Sequence, residues 1–105
     1  MTRAIKEYNS GLLDFHNHST HSDGQDTPYQ LVERAKRHGV SAMALTDHNV
    51  ISGLGEFNVA CNRLGILGIP FGVEIYFDLP DDVMGSDIIA PELIVLGKNP
   101  RSLFL

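Results

Sequence analysis

Large apolar residues alternate with small or polar ones along three segments of the chain, and this period of two predicts β-strands. The predicted strands cover about residues 11–16, 41–46 and 69–75, and a continuous apolar run at 93–96 predicts a fourth, covered on both sides. The three alternating strands place large apolar residues on one face, and small or metal-ligand residue types on the other. That distribution is typical of a (β/α) barrel, in which helices cover the outside and chemistry lies at the carboxyl ends of the strands.

Two segments with helical spacing separate the first three strands. The first helix is predicted to begin after Thr27, an N-cap residue, with Pro28 at the first helical position and Gln30 completing a capping box. It is predicted to end before Gly39. The second helix is predicted over about residues 54–64. The order strand–helix–strand–helix–strand predicts an α/β fold with about four parallel strands and two helices, which is a partial (β/α) barrel.

The chain is expected to form a single small domain over residues 1–105. Residues 1–10 are a polar lead-in, and the aspartates, prolines and glycine of residues 77–91 predict an acidic surface loop. A third helix is predicted to start near Arg101 and has only four further residues in which to run. Four parallel strands cannot close a barrel. We therefore expect a C-terminally truncated domain that self-associates or is completed by a missing C-terminal half.

Composition narrows the classes of function. The formal net charge of -5 argues against a surface that coats nucleic acid, and 43% hydrophobic residues is ordinary for a globular protein. No apolar run is long enough to span a membrane, and the first ten residues do not resemble a signal peptide, so no membrane partner is expected. The single cysteine, Cys61, excludes an intramolecular disulfide and lies on the apolar stripe of the second helix. The expected location is the cytoplasm.

A concentration of metal-ligand residue types follows the first predicted strand. Asp14, His16 and His18 share one face of an extended segment, so two imidazoles about 7 Å apart can face one ion. The turn formed by residues 22–24 can bring Asp23 back towards the same place. This spacing predicts a metal site at the carboxyl ends of the strands.

Three motifs in this order resemble the polymerase and histidinol phosphatase (PHP) domain family of metal-dependent phosphoesterases. They are residues 14–18 with 22–24, residues 44–49, and residues 72–74. The family fold is a distorted seven-stranded (β/α) barrel of well over 105 residues, so the resemblance implies that this chain corresponds to its N-terminal half.

The resemblance also implies roles for individual residues. His16 and His18 would bind one metal, Glu74 would bridge two metals, and Asp23 with His48 would bind a further one. Asp47 and His48 would be the catalytic residues, with Asp47 contacting the substrate or a metal ligand. Asp14 and His21 would lie in the surroundings of the ligands. The family carries two or three divalent ions, and mixed imidazole and carboxylate ligands suit Zn, Mn or Fe.

The implied reaction is hydrolysis of phosphate mono- or diesters, such as nucleotides or oligonucleotide ends, by a metal-activated water. Ile94 stands where the family usually has a ligand histidine, and the family's later ligands would fall beyond Leu105. An alternative is therefore a non-catalytic metal-binding remnant or subunit. An amidohydrolase, which also opens with two histidines on its first strand, is less favoured because of residues 22–24 and 46–49.

Overall fold

The structure is a computed structural model of the 105-residue chain, and it describes residues 11–76 and 92–98. The helices and strands in chain order are β1 (Leu12–Asp14), α1 (Pro28–Arg37), β2 (Val40–Met43), α2 (Leu54–Leu64), β3 (Leu67–Gly68), β4 (Phe71–Tyr76) and β5 (Glu92–Gly97). The α/β fold class is as predicted. The polar lead-in, the acidic loop and the third helix predicted from the sequence lie outside the described residues.

Helix α1 begins, and both helices end, where local sequence signals place them. The Thr27 hydroxyl accepts a hydrogen bond from the Gln30 backbone N–H at 3.2 Å, and the Gln30 side chain accepts one from the Thr27 N–H at 3.0 Å. This is the predicted capping box, which satisfies two N–H groups that have no partner within the helix. Helix α2 covers the predicted residues and ends at Gly65, which has the left-handed φ of 73°.

A three-stranded parallel sheet in the order β1–β2–β3 brings the carboxyl ends of its strands to one edge. Beyond Met43 the chain stays buried but leaves regular strand geometry, and the Ala44 N–H donates to the Asp14 carbonyl at 3.0 Å. The same segment then reaches His48, which forms an isolated parallel bridge with Glu74 of β4. The residues that follow β1 and β2 are thereby carried towards β4.

The structure corrects two expectations about the strands. The strand predicted over residues 69–75 begins later, as β4 at Phe71, and a separate short strand that was not predicted, β3, precedes it; Pro70, which has no N–H to donate, lies in the gap between the two. The fourth strand, β5, pairs antiparallel with β4 and is not parallel as predicted. It is also not covered on both sides among the described residues, since Leu93 is 52% exposed.

The core lies between the two helices and the sheet. It is formed mainly by Val32 of α1, Met43 of β2, and Phe57 and Cys61 of α2, which are at most 4% exposed. Burial raises the pKa of the Cys61 thiol to about 11, so this side chain packs as an apolar group, as the sequence predicts. Neither described helix has the length and apolar character needed to cross a membrane.

Candidate metal centre

The segment after β1 is fixed to the end of β2 by Asn17 and Thr46. The Asn17 side chain donates to the Ala44 carbonyl at 3.0 Å, and its backbone N–H donates to the Thr46 hydroxyl at 3.1 Å. The Thr46 N–H donates in return to the Asn17 carbonyl at 2.7 Å. Because Asn17 lies between His16 and His18, these bonds fix the backbone from which both imidazoles project.

Glu74 reaches the same place from β4. Its backbone N–H donates to the Asp47 carbonyl at 3.0 Å, and its carbonyl accepts from the Asn49 N–H at 2.9 Å. Asn49 adopts a left-handed φ of 53°, a conformation that asparagine tolerates better than most residues. The close approach of β4 to the segment after β2 also requires a glycine at position 72, because a Cβ at Gly72 would lie 2.4 Å from the Leu45 carbonyl oxygen.

His16, His18 and Glu74 form a first group of candidate ligands. Glu74 Oε1 lies 3.1 Å from His16 Nε2 and 2.6 Å from His18 Nε2, and Glu74 is only 4% exposed. Burial raises the pKa of Glu74, but hydrogen bonds with His18 and His16, and the charge of the nearby imidazoles, lower it by more. The net pKa of Glu74 is therefore below its ordinary value, which favours the carboxylate that a metal ligand requires.

His18, Asp23 and His48 form a second group. Asp23 Oδ1 lies 3.0 Å from His18 Nδ1, and Asp23 Oδ2 lies 3.2 Å from His48 Nε2. The His18 and His48 rings are 4.2 Å apart between centroids, and His48 Nδ1 is also 3.6 Å from Glu74 Oε1. The two groups therefore share His18 and adjoin each other through His48 and Glu74.

The donor sets fit divalent metal ions. One ligand atom from each residue in a group lies within 4.8 Å of the others. Two ligands of a tetrahedral ion with bonds of about 2.1 Å are about 3.4 Å apart, which is close to the separations found here. Three protein ligands of mixed imidazole and carboxylate type leave a coordination position open, as in catalytic sites and unlike closed structural sites.

Asp47, predicted as catalytic, lies beneath the donor groups and is 2% exposed. Its Oδ1 accepts hydrogen bonds from the Ser19 N–H and the Ser22 hydroxyl, both at 2.6 Å. Its Oδ2 accepts from the Ser19 hydroxyl at 2.7 Å. Sequence reasoning did not single out Ser19 and Ser22 as partners of Asp47. Their positions next to His18 and Asp23 were the only available signal.

The two predicted neighbours of the ligands occupy different places. Asp14 Oδ1 lies 3.4 Å from the His16 backbone N–H, so it meets the backbone and not the imidazole. The exposed His21 pairs through Nδ1 with the Ser52 hydroxyl at 2.7 Å, just before α2. Ile94 pairs in register with Glu74 across the β4–β5 ladder, so an apolar side chain lies next to the Glu74 carboxylate.

Comparison with known protein families gives one extensive match. The family model described as the PHP domain matches residues 14–103. A 5'-3' exoribonuclease of Haemophilus influenzae is 48% identical over 62 residues, which are 59% of this chain and 22% of that protein. A 3',5'-nucleoside bisphosphate phosphatase of Chromobacterium violaceum is 43% identical over 65 residues, 60% of this chain and 22% of that protein. The chain thus spans less than a quarter of the length of these relatives.

Solved structures resemble the fold over most of the chain. An amidohydrolase from Chromobacterium violaceum, solved with bound sulfate and no metal, has a TM-score of 0.67 and 34% identity, covering 84% of this chain and 28% of that one. A protein from Bifidobacterium adolescentis assigned as a metal-dependent phosphoesterase also has a TM-score of 0.67, with 28% identity. That match covers 80% of this chain and 27% of the other.

Proposed function

The chain belongs to the PHP domain family, and from this premise we propose that it is the ligand-bearing part of a metal-dependent phosphoesterase, a hydrolase of phosphate mono- or diesters. The observation that carries the proposal is the convergence of three histidines on one buried carboxylate oxygen, Glu74 Oε1. Residues 1–105 are proposed to form one PHP-like domain. Both relatives described above are named for reactions at phosphate esters of nucleotides, which supports nucleotides or oligonucleotide ends as the substrate class.

The orientation of the His18 ring determines which candidate ligands would share each ion. A neutral imidazole has one nitrogen with a lone pair and one that carries a proton. The Nε2 atom faces Glu74 and the Nδ1 atom faces Asp23. We assign Nε2 to an ion shared with His16 and Glu74, and the Nδ1–H to a hydrogen bond donated to Asp23, an arrangement that orients ligand histidines in many metal sites.

His48 and the other oxygen of Asp23 would then hold a second ion, with Glu74 placed between the two. Zn, Mn and Fe all suit these ligands. Bound ions would supply the Lewis acidity that activates a water molecule and offsets negative charge on the phosphoryl oxygens. The protein's own contribution is to keep Glu74 ionised, to hold the imidazoles in one orientation and to leave a coordination position accessible on the exposed side. Cys61 is excluded as a nucleophile by its burial and raised pKa.

The test is hydrolysis of p-nitrophenyl phosphate and of its bis-ester by the chain loaded with Mn²⁺ or Zn²⁺. His18→Ala removes the residue that both groups share, together with its hydrogen bond to Asp23, and we expect turnover to disappear. His38→Ala is the matched control, because His38 is an exposed residue at the end of α1. Turnover that survives in His18→Ala, or that a chelator does not abolish, would refute the proposal.

A non-catalytic metal-binding remnant or subunit is the second candidate, and the position of Ile94 favours it. Ile94 occupies the site opposite Glu74 where the family usually has a further ligand. Metal binding that is lost in His18→Ala, without turnover of either ester, would support this candidate. An amidohydrolase, as one similar structure is named, would instead cleave amide substrates under the same conditions. The relatives named as an exoribonuclease and a nucleoside bisphosphate phosphatase favour the phosphoesterase.

We also propose that β5 is covered by a second copy of the chain or by a further part of the same fold. Leu93, Ile94 and Leu96 are 52%, 37% and 38% exposed, and β5 pairs only with β4 among the described residues. An apolar edge strand favours association with another strand. Sedimentation of the chain at tens of micromolar as a single monomeric species would contradict cover by a second copy. The lone buried cysteine suits a reducing compartment, so the cytoplasm is the proposed location.

A further inference from the structure

The buried carboxylate of Asp47 takes part in none of the candidate metal groups, although it directly precedes His48. Burying a carboxylate is costly unless hydrogen bonds replace the lost water. Here three donors replace it, and all three come from the turn over residues 19–24. Charge-assisted bonds of this kind are shorter and stronger than neutral ones.

The turn that supplies these donors also carries a candidate ligand. Within it, the Ser22 and Gly24 N–H groups both donate to the Ser19 carbonyl, at 3.0 and 2.8 Å. Asp23 lies between these two residues, and its side chain is 64% exposed. The bond from Ser22 to Asp47 therefore fixes the backbone next to an exposed carboxylate whose side-chain partners are His18 and His48.

Asp47 is connected to the other ligands through its own backbone. It is adjacent to His48, and its carbonyl accepts a hydrogen bond from the Glu74 N–H at 3.0 Å. Its side chain contacts Ser19, which follows His18 directly. A single buried residue thus joins the three segments from which the candidate ligands project.

We propose that Asp47 is a positioning residue, whose carboxylate holds the turn over residues 19–24 so that Asp23 faces His18 and His48. This inference rests on the proposed metal function and adds to it a role for Ser19 and Ser22. It also gives Asp47 a role that needs no contact with the substrate.

Ser22→Ala is the cleanest test, because it removes one donor to Asp47 Oδ1 and little volume. Ser41→Ala is the matched control. The Ser41 hydroxyl donates to the Leu12 carbonyl at 3.3 Å, at the amino-terminal ends of β1 and β2, whereas the candidate ligands lie beyond the carboxyl ends. Co²⁺ affinity is measured by calorimetric titration, and stability by urea unfolding of the metal-free chain. Hydrogen exchange of the Gly24 amide, measured without metal, reports the order of the turn.

We expect Ser22→Ala to lower Co²⁺ affinity by about 10- to 100-fold, the usual effect of losing a residue that orients a ligand. Its urea midpoint should lie below that of Ser41→Ala, because the lost bond is charge-assisted, and its Gly24 amide should exchange faster by more than this loss of global stability explains. Equal Co²⁺ affinity and equal Gly24 exchange in the two variants would overturn the inference. If the unaltered chain binds no Co²⁺, the proposed function fails, and Gly24 exchange alone then decides whether Asp47 positions the turn.

Asp47→Asn separates the charge of Asp47 from its hydrogen bonds. An amide oxygen in the place of Oδ1 keeps the bonds from Ser22 and the Ser19 N–H, and the amide N–H₂ can donate to the Ser19 hydroxyl. Loss of the charge weakens these bonds without removing them, so positioning predicts Gly24 exchange between that of the unaltered chain and that of Ser22→Ala. Gly24 exchange equal to that of the unaltered chain in both Asp47→Asn and Ser22→Ala would overturn the inference.

Discussion

Replacing Gly24 by alanine should disrupt the candidate metal centre through the backbone alone. A Cβ at this position would lie 2.2 Å from the His18 carbonyl oxygen and 2.5 Å from its carbonyl carbon. Both are main-chain atoms, so no side-chain rotation can relieve the overlap. The turn after His18 is closed at the same place by the bond from the Gly24 N–H to the Ser19 carbonyl.

The size of the effect follows from these distances. Non-bonded atoms are comfortable at about 3.5 Å, so the backbones of His18 and Gly24 must separate by about 1 Å. Overpacking of this kind costs about 1–3 kcal/mol of folding stability. Disturbing the segment that orients the ligands should also weaken metal affinity by about 10- to 100-fold. We therefore expect both the urea midpoint and the Zn²⁺ affinity of Gly24→Ala to fall.

Gly55→Ala is the control for the same chemical change. Nothing lies within 4 Å of the position that its Cβ would occupy, and the residue is in α2. Alanine is the better helix former, so this variant should gain up to about 1 kcal/mol and keep its Zn²⁺ affinity. The steric argument would be refuted if Gly24→Ala matched the unaltered chain in both measurements, or if Gly55→Ala lost as much Zn²⁺ affinity.

Three further predictions concern single side chains. Ile94→His places an imidazole opposite Glu74, at a Cβ separation of about 5 Å, and should tighten Zn²⁺ binding about tenfold in calorimetry. Leu96→His, which lies on the same face but opposite Gly72, should leave Zn²⁺ affinity unchanged. Because the folded-state pKa of Glu74 is lowered, its stabilising contribution is present above its ordinary pKa of 4.5 and is lost as the pH falls through the lowered value. Urea unfolding of the metal-free chain should therefore show the stability difference from Glu74→Gln shrinking below that pH, and a constant difference would contradict this. Cys61, with a pKa of about 11, should react with a thiol reagent at pH 8 far more slowly in the folded chain than in urea, and equal rates would show that the thiol is accessible.

The helices could be predicted closely because their limits depend on local chemistry. Thr27, Pro28 and Gln30 encode a helix start within four residues, and Gly65 encodes an end by adopting a left-handed conformation. Strand direction has no such local signal. The apolar run over residues 93–96 fits a parallel or an antiparallel partner equally well, and the expectation of a parallel strand followed only from the barrel pattern.

The candidate ligands were predictable for a related reason. Side-chain alternation places His16 and His18 on one face, and the turn over residues 22–24 is short enough to return Asp23 to them. Residue type and motif placed Asp47 in the predicted catalytic pair, a role that stays a prediction, and the structure shows its side chain buried against Ser19 and Ser22. Its partners were not predictable, because hydrogen bonds of Ser19 and Ser22 depend on tertiary contacts.

The candidate ligands differ in how firmly the protein holds them, and this difference should determine which of the two groups binds a metal ion first. Glu74 is 4% exposed and is fixed by backbone bonds to Asp47 and Asn49, so it loses little freedom when it binds an ion. Asp23 projects from an exposed turn whose order depends on one buried carboxylate. The group around Glu74 should therefore fill first in a Co²⁺ titration, and the group around Asp23 second. Asp23→Asn should abolish only the weaker step. Glu74→Gln removes the negative charge that faces all three histidines and should weaken both steps. Loss of the tighter step in Asp23→Asn would reverse this order.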